Sequence, residues 1–361
     1  MGSIVDNILD RYPQLRGKPQ AMAMLCPLLR DRGMHDDALA LARAAIEAAP
    51  ESAAIRDDVA TSMSAGVPRF HVPMMLDQTR NRAYAAAIAR MVRPGMLVLE
   101  IGCGAGLLAM LCARAGARVV TCEENPIIAA VAARIIENNG LAGSITLVRK
   151  RSTELAVSVD LPEPADLLIH EVFGAMLFNE GVTAALTDAR QRLTKPGAPA
   201  LPPRAMIRCL LVNDTAGSAP SRLHDVEGFD LSAWQTIASP SLMLGKHHQH
   251  RMLPLTDAVS GLRMDYDSAP AFGPMSETLI VESRGGRIDG IVQWIALDFG
   301  NGEMLENNPF VDGPKSSWAP VYTPLIAPIE TAPGDLLEIH LRRRGTLLTV
   351  DAARHHPDRD Q

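Results

Sequence analysis

The sequence predicts an α/β domain with an open parallel sheet, followed by an antiparallel β domain and preceded by a small α-helical region. Three observations carry this reading. Val98-Leu99-Glu100-Ile101 reads as a buried strand that runs into Gly102, Gly104 and Gly106, and then into a helical pattern from Leu107 to Ala115. From Val98 to about Lys195 strands alternate with helices, as a doubly wound sheet requires. After Pro196-Gly197 and Leu201-Pro202-Pro203-Arg204, residues 205 to 353 read as short strands split by Gly, Pro and Asp turns, which suits a sandwich or a barrel.

The chain has 361 residues, 47% of them hydrophobic, enough for two domains with a sizeable core. Its net charge of −6 argues against a general nucleic-acid binder, whose phosphate contacts need a basic face. The five cysteines (Cys26, Cys103, Cys112, Cys122 and Cys209) lack CxxC spacing and mostly sit in apolar runs, which reads as buried, reduced thiols of a cytoplasmic protein. No signal peptide opens the chain, and no apolar run is long enough to span a bilayer, so no membrane partner is expected.

Residues 1–65 read as helical. Leu29 to Ala42, followed by Ala45, Ile46 and Pro50, looks like part of a tetratricopeptide repeat. One such unit cannot bury its own faces, so a helical cap packed on the next domain is the preferred expectation. The α/β domain is placed at 66–200. In its first helical stretch His71, Met74 and Met75 fall near one side, and Asp77 and Arg80 lie close together. That pair is either a surface Asp–Arg contact or a sign that Arg80 takes a ligand carboxylate with its bidentate fork.

The glycine turn lets the backbone approach a ligand, and the helix after it points N–H groups back at that ligand. Gly102, Gly104 and Gly106 alternate, so the G-x-G-x-x-G dinucleotide spacing is absent, and no P-loop lysine follows. Val119 to Cys122 reads as a second strand ended by Glu123, an acid placed to accept both ribose hydroxyls of an adenosine. Ile145 to Arg149 is a third strand, and Ser152, Thr153 and Glu154 at its end could read an adenine edge.

Asp166 to His170 is the next strand, and it runs into a segment bounded by Glu171 and Glu180. Nine positions apart on a straight helix, at about 100° per residue, these acids would face opposite ways. They converge only if the segment folds as a loop, which Gly174 and Gly181 permit. Two facing carboxylates in an apolar loop are costly without a cation or a shared proton between them, and a planar guanidinium suits such a pair. The plain alternative is two unrelated surface acids at loop ends.

In the β region, residues 201–353, the clearer runs are Met206 to Val212, Leu279 to Glu282, Ile291 to Phe299 and Leu336 to Leu341. Asn213 to Phe229 is a polar excursion, and 354–361 is a polar tail. His247, His248 and His250 lie beside Lys246 in a polar stretch and read as a solvated loop, with no metal ligand set. Trp294 and Trp318 read as core or pocket walls.

Taken in this order, the motifs resemble the protein arginine methyltransferases, in particular divergent members with repeat-like N-terminal helices. Val98 to Leu108 is similar to the family's first motif, Glu123 to its ribose acid and Arg149 to Glu154 to its adenine segment. Glu171 to Glu180 is similar to its double-glutamate loop, and Leu201-Pro202-Pro203-Arg204-Ala205 to the crossing into its second domain. Gly228 to Ser232 is similar to the end of its dimerisation arm. The resemblance implies a Rossmann-like S-adenosylmethionine-binding domain followed by a β-barrel, and a methyl transfer to the guanidino group of arginine. Glu171 and Glu180 would bind the guanidinium. His71, Met74, Arg80, Glu100, Gly102, Gly104, Glu123, Ser152, Thr153 and Glu154 would form the S-adenosyl-L-methionine site, with Arg80 on its carboxylate. An arm at about 213–229 would join a head-to-tail homodimer.

The sequence departs from the family at one loop. Where the family carries Thr-His-Trp, this chain has Ser316-Ser317-Trp318, so Ser317 stands at the histidine position near Asp77 in the substrate pocket. That puts in question an arginine held in a Gly/Arg-rich protein tail and leaves room for free L-arginine or another guanidine. A silent scaffold that keeps the cofactor fold is the alternative of another class.

Overall fold

Proline and asparagine start several of the helices. Pro19 opens one helix and Pro126 another, each at the first position, where the missing N–H costs nothing. Asn125 caps the second of these by accepting from the N–H groups of Ile127 (3.1 Å) and Ile128 (3.2 Å). The structure, a computed structural model, describes residues 4–179, 181–215, 225–237, 239, 241–245, 249–268, 273–311 and 317–356.

The chain begins with helices α1 (Ile4–Arg11), α2 (Pro19–Asp31), α3 (His35–Ala48), α4 (Ala53–Met63), α5 (His71–Leu76) and α6 (Gln78–Met91). Strand β1 (Leu97–Ile101), α7 (Leu107–Arg114), β2 (Arg118–Cys122), α8 (Pro126–Asn138), β3 (Ile145–Val148), β4 (Leu167–His170), α9 (Val182–Arg192) and β5 (Ala200–Leu201) follow. The rest is β: β6 (Arg204–Asp214), β7 (Asp225–Val226), β8 (Phe229–Asp230), β9 (Leu242–Met243), β10 (Met252–Pro254) and β11 (Val259–Asp265). It ends with β12 (Met275–Asp298), β13 (Met304–Glu306), β14 (Val321–Arg344) and β15 (Leu347–Arg354). Two units result, one of Met1–Met75 with Met91–Glu163, the other of Leu76–Arg90 with Pro164–Gln361.

In the first unit, β1, β2 and β3 form parallel ladders in the order β3-β2-β1, with Val98 opposite Val119 and Val119 opposite Ile145. Every residue of β1 is buried, as expected for a strand covered on both faces. Helices α1 to α4 share one core, built on Met22, Cys26, Leu29, Leu41 and Ile55, and Ile127 of α8 belongs to it. That shared core explains why the short helices are stable, since an isolated helix of this length is marginal in water.

In the second unit, β4 and β5 pair in parallel, with Leu168 opposite Ala200. A separate antiparallel sheet runs β10-β6-β12-β14-β15, with β11 on β6, β13 on β12 and β9 on β14. Leu210, Val212, Trp294 and Tyr322 pack together at its core. The expected short strands at Leu279–Glu282 and Ile291–Phe299 are parts of one strand of 24 residues, β12, and its partner β14 is equally long. The register shifts lie between Glu282 and Arg284 and between Ile288 and Gly290, so the strand runs on through two irregularities, the second at a glycine, where turns were expected.

The expected arm at 213–229 contains β7, which pairs with β8 as a small hairpin, while residues 216–224 lie outside the described residues. All five cysteines are free and buried. Among the described residues no helix is long and apolar enough to cross a membrane.

Candidate functional site

The predicted site residues fall into two groups, one in each unit. In the first unit the turn after β1 places Gly102, Gly104 and Gly106 at φ values of 83°, 52° and 81°. This is the left-handed region, which glycine enters without the steric cost of a Cβ. Gly104 faces α5: a Cβ added there would stand 4.0 Å from His71 Nδ1 and 4.0 Å from the Met74 methyl. His71, Met74 and the glycine turn therefore come together. Burial lowers the His71 pKa, which favours a neutral ring beside the turn.

Glu123 follows β2 and closes the same turn. Its carboxylate accepts from the Gly104 N–H (3.0 Å) and from the Asn125 N–H (2.9 Å). Burial pushes its carboxyl up from the ordinary value, against the pull of these N–H groups. Glu100, at the end of β1, is buried and accepts from the Thr121 hydroxyl of β2 (2.5 Å), so it also ties the two strands together. Ser152, Thr153 and Glu154 form a 3-10 turn after β3. The residues ahead of that turn are anchored in sequence: Arg149 to Asp36, Lys150 to Asp160 and Arg151 to Glu124.

In the second unit the predicted substrate-pocket residues meet around the loop after β4. Residues 171–179 form turns, with the Leu177 N–H donating to the Gly174 carbonyl (2.9 Å) and Phe173, Leu177 and Phe178 buried. At Gly174 an added Cβ would meet the Asn179 side chain, which would have to move aside. Glu171 is buried and forms an ion pair with Arg80, also buried. The Arg80 Nη1 donates to Asn81 Oδ1 (2.7 Å), and its guanidinium lies 5.1 Å from the centre of the Tyr84 ring. In this structure the guanidinium that Glu171 meets is therefore the chain's own Arg80, and not yet a ligand's. Glu180 lies outside the described residues.

Asp77 is only 7% exposed, so the surface Asp–Arg contact is corrected to a buried cap. Its Oδ1 accepts from the Arg80 backbone N–H (2.9 Å) at the start of α6, and its Oδ2 accepts from the Ser317 N–H (2.9 Å). The Trp318 indole donates to the Phe173 carbonyl (3.1 Å), and the Trp318 carbonyl accepts from the Asn307 amide. The 317–318 loop is therefore stitched to both Asp77 and the Glu171 loop. Trp294 is a core residue whose indole donates to Glu306 (2.9 Å).

Sequence reasoning missed three contributors. His170, the residue before Glu171, is fully buried and packs edge-on against Phe173 (5.0 Å) and Tyr266 (4.8 Å). Tyr84 of α6 donates its hydroxyl to the His170 carbonyl (3.0 Å). Asp36, far back in α3, pairs with Arg149. The contacts of Tyr84 with His170 and of Asp36 with Arg149 are long-range and left no local signal in the sequence. His247 and His248 lie outside the described residues, and among those described no three metal-type side chains converge.

No family model matches the chain. An "Arginine N(omega)-methyltransferase" of Streptomyces achromogenes subsp. streptozoticus is 33% identical over 320 residues, which is 87% of each chain. A "Protein arginine N-methyltransferase 7" of Oryza sativa subsp. indica is 30% identical over 63% of this chain, which spans about a third (34%) of that protein's length. Among solved structures, the Trypanosoma brucei PRMT1 enzyme–prozyme heterotetrameric complex with AdoHcy aligns at a TM-score of 0.69 and 20% identity, over 82% of this chain and 96% of that one. The Arabidopsis thaliana protein arginine methyltransferase 10 aligns at 0.59 and 19% identity, over 74% of this chain and 86% of that one. These two likenesses bear on the fold, a parallel Rossmann-like sheet with a separate antiparallel sheet.

Proposed function

The chain belongs to the arginine N-methyltransferase family, and from that premise we propose that it is an S-adenosylmethionine-dependent enzyme that methylates the guanidino group of free L-arginine. The observation that carries the substrate form is the match to the Streptomyces arginine N(omega)-methyltransferase over 87% of both chains. It is supported at the departing loop, where Asp77 is met by the Ser317 backbone N–H instead of an imidazole. Arginine in a polypeptide is the second reading, favoured by the partial match to the rice protein.

The first unit fits the cofactor. Its glycine turn runs through left-handed backbone positions beside His71 and Met74, and the Glu123 carboxylate sits at that turn. His71, Met74, Glu100, Gly102, Gly104, Glu123, Ser152, Thr153 and Glu154 would hold S-adenosylmethionine. When bound, that group supplies an electrophilic methyl on a sulfonium.

The chain's own part is to make a poor nucleophile react. A guanidinium has delocalised lone pairs and a pKa above about 12. Glu171 with Glu180 would draw positive charge onto two of its nitrogens and leave more lone-pair character on the third. Holding that nitrogen in place removes most of the remaining entropic barrier. The burial of Glu171 strengthens its hold on a cation. We place the enzyme in the cytoplasm as a head-to-tail homodimer whose antiparallel sheet closes as a barrel; exposed Phe229 at the end of the arm, with Trp234 and Ile237 just after it, supports the dimer.

The test offers S-adenosylmethionine with free L-arginine or an arginine-rich peptide and reads methylation by mass spectrometry. Product on free arginine is expected. Glu171→Gln removes one of the two carboxylates that would hold the guanidinium, so turnover should fall about 10²-fold or more. Calorimetry should show cofactor binding intact. Wild-type turnover in this variant would overturn the role of Glu171, and product on the peptide alone would overturn the substrate form.

A further inference from the structure

We propose that the N-terminal helices are a working part of the cofactor site, and that Asp36 of α3 is a positioning residue for the 149–154 segment. The inference rests on the reading that this segment binds the adenosine of the cofactor.

Three links join these helices to the segment and to its opposite wall. The Arg149 guanidinium donates both Nη1 and Nη2 to the two oxygens of Asp36 (2.7 and 2.8 Å). This is the planar, two-pronged geometry that lysine cannot reproduce. Asp36 lies in the first turn of α3, where the helix dipole favours a carboxylate, and Arg149 holds its carboxyl below the ordinary value. The second link is the Gly66 carbonyl, which accepts from the Asn125 side-chain amide (2.9 Å). Asn125 at the same time caps α8 and donates its backbone N–H to Glu123 (2.9 Å). The third is Ile127, whose side chain sits in the core of the N-terminal helices.

The two walls so held flank an open cleft lined by Glu124, Asn125, Arg149, Lys150, Arg151 and Glu154. The segment is short and makes only a 3-10 turn, so its own backbone hydrogen bonds cannot fix its direction. Its three consecutive cations do that instead, each tied to an acid from a different stretch of chain. Arg149 is the first of them, directly after β3, and its anchor is the one that the N-terminal helices supply. Without Asp36 the segment loses the tie that sets its course as it leaves the sheet.

The experiment measures S-adenosylhomocysteine binding by calorimetry, and cofactor KM and kcat for arginine methylation, in the full-length protein. Asp36→Asn should weaken binding and raise the cofactor KM about fivefold, the scale of a well-formed bidentate surface pair, with kcat at saturating cofactor unchanged. Asp36→Glu should restore most of the affinity. Asp37→Asn is the comparison, because Asp37 pairs with Arg11 (2.7 Å) inside the N-terminal helices and reaches no part of the segment. It should leave the cofactor KM as in the wild type even if both variants lower the melting temperature. Equal affinity in Asp36→Asn and wild type overturns the inference alone, as does an equal loss in Asp37→Asn. A wild-type protein that binds no S-adenosylhomocysteine overturns the adenosine reading and this inference with it.

Discussion

His170 should make the protein acid-sensitive, and replacing it should remove part of that sensitivity. Its ring is fully buried between Phe173 and Tyr266, at 5.0 and 4.8 Å between ring centres. Burial pushes its pKa from the ordinary 6.5 down to about 3, and the Pro202 carbonyl, which pulls the other way, does not offset this. Below pH 6.5 the unfolded chain takes up a proton that the folded chain refuses until about pH 3. Stability therefore falls as the pH drops through that window. Each pH unit is worth about 1.4 kcal/mol, so His170 accounts for a loss of about 2 kcal/mol between pH 6.5 and 5. Aspartates and glutamates at ordinary values titrate mostly below that range.

The perturbation is His170→Phe, which keeps an aromatic ring against Phe173 and Tyr266 and removes the titrating group. Urea unfolding, followed by tryptophan fluorescence at pH 7, 6 and 5, gives the stability of each protein. The wild type should lose about 2 kcal/mol more than the variant between pH 7 and pH 5. The comparison of slopes tolerates a packing cost that is the same at every pH. Parallel pH profiles for the two proteins would refute the argument, because they would mean that His170 exchanges its proton freely in the fold.

Two further substitutions test the surroundings of the Glu171 loop and the sheet. Trp318→Phe removes the donor to the Phe173 carbonyl (3.1 Å) and leaves that buried acceptor unmet, at a cost of about 1–2 kcal/mol; thermal melting should fall and the KM for arginine should rise, and an unchanged KM would separate Trp318 from the pocket. Gly290→Ala places a Cβ 2.7 Å from the Thr323 carbonyl and against the Tyr322 ring. Backbone must shift to admit it, so a loss of about 2–3 kcal/mol in unfolding free energy is expected, and a melting temperature equal to that of the wild type would contradict the bulge geometry.

The strand–glycine–helix turn at 98–107 was legible because its physics is local. Three left-handed positions in a row of alternate residues demand glycine, and a buried parallel strand demands a continuous apolar run. The loop character of 171–179 was legible for a related reason: a straight helix could not bring its two acids together, and Gly174 permits the alternative. The length of β12 was not legible. Glycines at a bulge and glycines at a turn look alike in sequence, and the choice between them was made by β14, which pairs along both halves of the strand.

The α/β order, the glycine turn, the acid after β2 and the loop after β4 follow from neighbours a few residues apart. Which charges meet is settled by how distant segments pack. Asp77 gives its oxygens to two backbone N–H groups, one of them 240 residues away, at Ser317. Arg80 meets Glu171, and Asp36 meets Arg149 across 113 residues. An ion pair is specified by where two chain segments come to rest, and no local propensity encodes that. For Asp77, Arg80 and Glu171 burial enforces it, because a charge removed from water must find its partner wherever the packing has left one.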